Sequence, residues 1–356
     1  MSGSFAFSVP IGAYHPLLRD CLQSLNIQTP RPRVAVLDAS GDPRVADVVA
    51  EFSDLVTYHR SGPDGGQTDA IIEGWDNVEG DILGWLNADD ALYPDALAAA
   101  SRRFTEYPET DVFYGHSVII DDDDAVKGYH WAVEPPSERI LSGGIISQPS
   151  CFFRRSLVEK VGGIDRDLHY TMDWDLWIRF WRADGKFAFS EDVFSRVLWS
   201  GDAKTGGFGA PRRRELERLI SQNASFERRL KSRLGFALHH AFEYLLPGAV
   251  TQAVRRRSAR RGSAIHGLDR AGGVRGEARL PIIHYDRGGK RGVVLTVGGD
   301  TTARLEISAE GAMVETDGPG VYELRFQEAV PEGRTVTLDL KSLGGGQAAM
   351  LKAAWL

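Results

Sequence analysis

The sequence predicts an α/β protein: a mostly parallel sheet covered by helices, followed by a helical segment and a small C-terminal β-sandwich. Three observations predict it. From Phe5 to Tyr114, short apolar runs alternate with helix-length amphipathic runs, the order that builds parallel sheets. Between Pro211 and Arg261 the chain carries thirteen Lys or Arg against four Glu. Past Ile265, strand-sized runs recur between Gly, Asp and Pro turns at roughly ten-residue spacing, a sandwich pattern. The boundaries that follow are 1–210, 211–262 and 263–356, and 356 residues suit two or three domains of ordinary size.

Each element has a local reason. Phe5 to Val9 is a short apolar strand closed by Pro10, and Leu17 to Asn26 has helical spacing through Leu18, Cys21, Leu22 and Leu25. Arg33 to Leu37 is a second buried strand ending at Asp38, Arg44 to Phe52 a helix, and Leu55 to Tyr58 a strand. Thr68 to Trp75 is helical, and Asp81 to Leu86 is a strand that runs into Asn87-Ala88-Asp89-Asp90. Pro94 to Phe104 is a helix with Pro in its first turn. Asp111 to Tyr114 and Ser150 to Phe153 are further strands, separated by an acidic turn at Asp121 to Asp124; Asp173 to Trp181 is a helix. Thr205 to Gly209 is Gly-rich and expected to be mobile. Ser221 to Val254 is helical with interleaved aromatics, interrupted at Pro247-Gly248. The later strands are Ile282–Tyr285, Gly292–Val297, Ala303–Ser308, Gly320–Phe326 and Thr335–Leu340. Tyr285, Tyr322 and Trp355 are available there for stacking.

Composition excludes several classes. Hydrophobic residues at 42% and charged residues at 26% leave ample core material and rule out a wholly disordered chain. The two cysteines, Cys21 and Cys151, are too few for a disulfide framework or a Cys-based zinc site. They read as small buried apolar residues. The first residues lack the basic region and apolar core of a signal peptide, and no run approaches the length of a spanning helix. Cytoplasmic residence is the expectation. A net charge of −7 argues against nucleic-acid binding. The basic stretch, locally +9 against about −16 for the remainder, offers a peripheral contact with an anionic membrane surface or a linker packed on the first domain.

Ligands of such sheets bind beyond the carboxyl ends of the strands, and these ends carry Pro10, Asp38 and Asn87 to Asp90. In Gly84-Trp85-Leu86-Asn87-Ala88-Asp89-Asp90 an apolar strand ends in clustered amide and carboxyl groups, which repel unless a cation or proton offsets them. Hard oxygen ligands there suit Mg²⁺ or Mn²⁺ holding substrate phosphates; a solvated turn is the plainer alternative. In Gly65-Gly66-Gln67-Thr68-Asp69 a Gly-containing loop feeds a helix start, where Gln67 and Asp69 bind a ligand or simply cap the helix. No Gly-Lys-Ser or Gly-Lys-Thr follows, so this is not a P-loop. In Met172-Asp173-Trp174-Asp175-Leu176-Trp177, an Asp at a first helical turn beside an aromatic wall is either a dipole partner or a general base. Trp177 reads as core and Trp174 as a platform for a sugar ring.

These three segments, in this order, resemble the family 2 glycosyltransferases of the GT-A fold. The resemblance extends over residues 5–205 and includes Gln148-Pro149-Ser150-Cys151-Phe152-Phe153 followed by Val161-Gly162-Gly163-Ile164-Asp165. It implies a GT-A-like nucleotide-binding domain. Asp38 would hydrogen-bond the nucleotide base in a pocket lined by Pro10 and Gly12. Gln67, Asp69, Asn87, Ala88 and Asp89 would bind the nucleotide sugar, and Asp89 would hold a divalent cation, Mn²⁺ or Mg²⁺. Asp90, Gln148 and Trp174 would face the acceptor, and Asp173 would be the catalytic base. The chain departs from the family pattern where Gly12 stands in place of an aromatic, Asn87 and Met172 in place of acidic residues, and Trp199 in place of a metal-binding His.

The implied reaction is an inverting, metal-dependent transfer of sugar from a nucleotide-diphosphate sugar to the hydroxyl of a glycan or lipid-linked acceptor, in polysaccharide or surface glycan synthesis. A non-catalytic carbohydrate-binding protein with a degenerate transferase domain is the alternative. A nucleotidyltransferase would need a basic Gly-rich phosphate loop after the first strand, and Pro10 to Pro16 contains none.

Overall fold

The computed structural model describes residues 3–130, 138–141, 143–199, 210–227, 229–230 and 264–356. It divides into two compact units, 1–117 with 131–224, and 118–130 with 225–356.

The first unit contains β1 (Phe5–Ile11), α1 (Leu18–Asn26), β2 (Arg33–Asp38), α2 (Pro43–Glu51), β3 (Val56–Ser61), α3 (Gln67–Asn77), β4 (Ile82–Trp85), β5 (Ala91–Leu92) and α4 (Ala96–Glu106). β6 (Val112–Ile120) and β7 (Val126–His130) follow, the latter in the second unit. The first unit then adds β8 (Cys151–Arg154), α5 (Arg155–Lys160), α6 (Met172–Arg182), β9 (Phe187–Leu198) and α7 (Ala210–Asn223).

Strands β3, β2, β1 and β4 lie side by side and parallel. β8 runs antiparallel to β4 and to β6, and β9 pairs with β5 and β6. The central strands are buried on both faces, which is why they read as unbroken apolar runs. Alternate residues feed two cores. Phe5, Phe7, Val34 and Val36 pack with α1, α2 and α4. Ala35, Leu37 and Leu83 pack with α3, α6 and the apolar side of α7. In the latter core Trp85 stacks on Trp177 with centroids 6.1 Å apart and 22° between planes. Trp177 is core, as expected.

The first strand outruns the sequence expectation. Pro10 does not close β1, which continues to Ile11. Leu86 N–H donates to Ser8 O, so Ser8 and Pro10 turn their backbone toward β4. β4 ends at Trp85, opposite Ser8. The missing N–H of Pro10 therefore costs no ladder bond. Close approach fixes one glycine: a Cβ on Gly74 would lie 2.3 Å from Ser8 Oγ and 2.9 Å from Leu37 Cδ2, so α3 can lie on β1 and β2 only without it.

The second unit adds β10 (Glu277–Ile282), β11 (Lys290–Gly299), β12 (Arg304–Ala309), β13 (Ala312–Glu315), β14 (Gly320–Val330), β15 (Val336–Gly344) and β16 (Ala348–Trp355). One antiparallel sheet has the order β10-β15-β12-β13, and β14, β11, β16 and β7 pair antiparallel in that order. Composition alone misplaced the strand expected at Ile282–Tyr285: β10 ends at Ile282, and Tyr285 is fully buried rather than free to stack. Tyr322 also has a partner, its hydroxyl donating to Asp317 at 2.8 Å.

The unit boundaries also differ from those expected. Residues 118–130 join the C-terminal unit because Val126 pairs with Ala353, Tyr129 Oη donates to Arg279 O at 2.6 Å and Lys352 bridges Asp121 and Asp123. The start of the basic segment joins the first unit because α7 buries Leu219 and Ile220 there. Thr205–Gly209 and the basic helix past residue 230 lie outside the described residues. Among the described residues no helix is long and apolar enough to cross a membrane.

Arg155 closes the turn after α3. Its guanidinium donates to Gly80 O at 2.7 Å, Trp75 O at 2.8 Å and Val78 O at 2.8 Å. Arg155→Ala leaves three carbonyls without their charged donor and is expected to cost about 1.5–3 kcal/mol in urea unfolding followed by tryptophan fluorescence. Arg33→Ala, which removes an exposed pair with Glu79, should cost less than about 1 kcal/mol. Equal losses would mean that the Arg155 carbonyls find water as readily as they find the guanidinium.

Candidate active site

Strand register brings the candidate residues to one rim. Ile11 lies opposite Asp38, Asp38 opposite Ser61, and Ser8 opposite Trp85. Pro10 and Gly12, Asp38, the start of α3 and the Asn87–Asp90 turn thus share the carboxyl edge of the parallel strands, where α/β sheets place their ligands. Asp38 is buried and held in place: its Oδ1 accepts Ser40 N–H at 2.9 Å and Ser40 Oγ at 2.6 Å. Pro10 is buried, whereas Gly12 is exposed, with nothing within 4 Å of where its Cβ would stand. This leaves open space beside Asp38's strand where the family pattern has an aromatic.

No side chain caps the start of α3. Gly66 (φ 117°) is the N-cap, in backbone that L side chains rarely adopt. Gln67 Nε2 donates to Asn87 Oδ1 at 2.6 Å, and Asp69 pairs with Arg166. Asn87 passes the link on, its Nδ2 donating to Asp90 Oδ2 at 2.9 Å while Asp90 N–H donates to Asn87 O at 3.1 Å. Asp90 is only 5% exposed and also accepts Leu198 N–H. This corrects its expected acceptor role: Asp90 is an internal brace of the turn. Burial and the neighbouring Asp89 push its carboxyl well up. Ala88 is buried and Asp89 half-buried. Burial pushes the Asp89 carboxyl up as well, opposed by its own N–H and by His15.

Gln148 and the helix of Asp173 are joined to this rim by contacts. Gln148 Nε2 donates to Trp85 O at 2.8 Å, two residues before Asn87. Its turn is pinned by buried hydroxyls: Ser117 Oγ lies 2.6 Å from Ser147 Oγ and 2.8 Å from the Oγ atoms of Ser150 and Ser195. Thr68 Oγ1, next to Gln67, donates to Leu168 O at 3.1 Å and meets Met172 Sδ at 2.9 Å. Asp173 therefore starts its helix one residue from a contact with α3. It is half-buried; its Oδ1 accepts Trp174 N–H at 2.7 Å. Burial raises its carboxyl pKa, and Arg212 opposes the rise. Trp174 is a correction: its ring is 6% exposed within the core and its Nε1 donates to Ile140 O at 2.6 Å, so it offers no face to a sugar.

Among the described residues no three His, Cys, Asp or Glu side chains cluster to hold an ion. A lone half-buried carboxylate at Asp89 still suits Mg²⁺ or Mn²⁺, which keep most of their shell for water and substrate phosphates. A cavity of ≈ 530 Å³ opens elsewhere, lined by Ile72, Asp76, Arg155 and Asp167 among others. Sequence reasoning missed Arg212 and Glu215 on α7, because both sit in a run that reads as a solvated basic surface. The one signal was a Glu inside Arg-Arg-Arg-Glu-Leu-Glu-Arg.

Asp90 supports a pH prediction. A carboxyl raised in the folded state is protonated there more readily than in the unfolded chain. The fold therefore gains stability as pH falls through the raised value and loses it as pH rises. Asp90→Asn removes that titration, and the amides of Gln67 and Asn87 can each flip to reverse the direction of donation. With EDTA present, the variant's unfolding free energy should fall less than wild type's as pH rises above the ordinary carboxylate range. A variant weaker at every pH would mean that the carboxylate itself holds the turn.

Several known proteins are similar to this chain. Residues 9–162 match the family described as Glycosyl transferase family 2. A Mycobacterium bovis protein named PGL/p-HBAD biosynthesis glycosyltransferase is 26% identical over 181 residues, 49% of this chain and 68% of that one. An uncharacterized glycosyltransferase of Mycobacterium tuberculosis is 30% identical over 171 residues, 46% of this chain and 63% of that one. The crystal structure of S. aureus TarS 1-349 in complex with UDP-GlcNAc superposes with a TM-score of 0.52 at 16% identity, covering 69% of this chain and 77% of that one. Rim, helix start and family match coincide on the same stretch of chain, and this protein is a glycosyltransferase of GT-A-like fold whose residues 9–162 are similar to family 2.

Proposed function

We propose that the protein moves a sugar from a nucleotide-diphosphate donor to a hydroxyl acceptor with inversion, aided by a divalent cation, in polysaccharide or surface glycan synthesis. The observation that carries this reading is the run of contacts from Asp89's turn through Asn87, Gln67 and Thr68 to Met172 and Asp173. It joins the elements that carry Asp89 and Asp173, which supports a cation at the one and a base at the other. TarS, of similar fold, is solved with UDP-GlcNAc, which supports a nucleotide-sugar donor. Asp38 binds the base beside Pro10 and Gly12, and Asp89 holds the ion. The cation, when bound, stabilises charge developing on the departing diphosphate. Asp173 takes the acceptor proton as the acceptor oxygen bonds to the anomeric carbon and the bond to the diphosphate breaks. Gln148 borders the acceptor. The peripheral membrane contact of the basic stretch and cytoplasmic residence belong to the same reading, supported by its excess of Arg.

Release of nucleoside diphosphate from a panel of UDP-, GDP- and dTDP-sugars, with Mn²⁺, Mg²⁺ or EDTA, tests it. Cation-dependent release is expected for one donor class; a carbohydrate binder would release none. Asp89→Ala should raise the donor KM and abolish its response to the cation. Asp173→Asn should lower kcat by about 10²–10⁴ with donor binding intact. The base must be ionised, and burial raises its pKa. The rise of kcat with pH should therefore sit above the ordinary carboxylate range. Near-normal transfer by Asp173→Asn would remove Asp173 as base.

A further inference from the structure

We propose that α7 is a positioning element for the reaction: Glu215 holds the loop before α6 and so fixes where Asp173 stands. Three successive backbone N–H groups converge on this one carboxylate. Oε1 accepts His169 N–H at 3.1 Å, and Oε2 accepts Tyr170 N–H at 2.8 Å and Thr171 N–H at 3.2 Å. The Thr171 hydroxyl donates to Oε2 as well, at 3.2 Å. Thr171 is the N-cap of α6 and makes no side-chain cap of its own. Glu215 thus supplies from another helix both the acceptor and the negative charge that a helix start favours. Asp173 is the second residue of that helix.

The rest of α7 is built to keep Glu215 there. Leu219 and Ile220 are buried in the same core as Met172 and Trp174, with Leu216 packed against it. Arg212, one turn before Glu215 on a neighbouring position of the helix, acts electrostatically on Asp173. Arg213, Arg214, Glu217 and Arg218 face solvent. A carboxylate in an Arg-rich run would ordinarily be spent on its neighbours; this one is spent on the backbone of a distant loop. The matched family stretch ends at residue 162, so the device is supplied by chain that follows it.

The proposal rests on the reading of Asp173 as base, and two measurements separate their failures. Hydrogen exchange of the peptide spanning residues 168–175 is compared in the full chain, wild type against Glu215→Gln and Glu215→Ala, with Glu217→Gln as control. Loss of charged acceptors should speed exchange there by about tenfold or more, with other peptides and the control unchanged. On the donor that the wild type turns over, Glu215→Gln should lower kcat by about 10- to 100-fold at unchanged donor KM, since a small misplacement of a reacting group is costly. Glu215→Asp should recover part of it. Unchanged exchange overturns the proposal, as does faster exchange with unaltered kcat. Should Asp173→Asn abolish turnover in that case, the base reading survives; should it not, both fall.

Discussion

The first turn of α3 is the point on which the site depends. Gln67 reaches one way to Asn87, and Thr68 beside it reaches the other way to Leu168 and Met172. Two residues therefore tie the acidic strand end to the helix that bears Asp173. The turn is itself fixed from below. Gly74 lets α3 lie on β1 and β2, and Ser8 Oγ donates to Ile71 O at 2.9 Å across that contact. A shift of α3 would move the acidic rim and the helix bearing Asp173 together, so packing of one helix on the sheet becomes a constraint on the whole candidate site.

The same site concentrates negative charge where water is scarce. Asp89, Asp90 and Asp173 all have carboxyls pushed up by burial. Their field reaches both cysteines: Cys21 is raised by burial and then by Asp90 and Asp89, and Cys151 by burial and then by Asp173. Both thiols are thereby kept neutral and inert, as small buried apolar groups. Arg196, buried opposite Ala91, pairs with Asp20. Among the charged groups only His15 acts on Asp89 to favour its ionised form, so a cation there, as proposed, would meet a carboxylate that gains from it.

Much of this was legible in the chain, and the exceptions have physical causes. β1, β2 and β4 could be read because burial on both faces leaves unbroken apolar runs. β16 could not, because Ala348-Ala349-Met350-Leu351-Lys352-Ala353-Ala354 carries helix formers and takes its strand form from pairing with β11. β9 is hidden because polar Ser190-Glu191-Asp192, the last two exposed, break its apolar run. At the site, Asp38 and Asp89 follow from the rule for strand ends. Trp174 misled because spacing shows that two tryptophans share a face without showing that the face is inside. Glu215 could not be read at all: its worth lies in three N–H groups some forty-five residues upstream, a relation made by folding alone.

The two departures from the acidic family pattern have a common logic. A carboxylate at position 87 would set a further negative charge against Asp90, already buried beside Asp89. The amide of Asn87 instead donates to Asp90 and accepts from Gln67, a pair of roles that a carboxylate, acceptor only, cannot fill. A carboxylate at position 172 would bury its charge against Thr68, where the Met172 thioether takes a weak hydrogen bond and packs in the core. Both changes remove charge from buried or crowded places and leave it at Asp89 and Asp173. Loss of acidic positions is therefore compatible with the proposed transfer: it leaves one carboxylate at each end of the contact chain, and a neutral, well-bonded path between them.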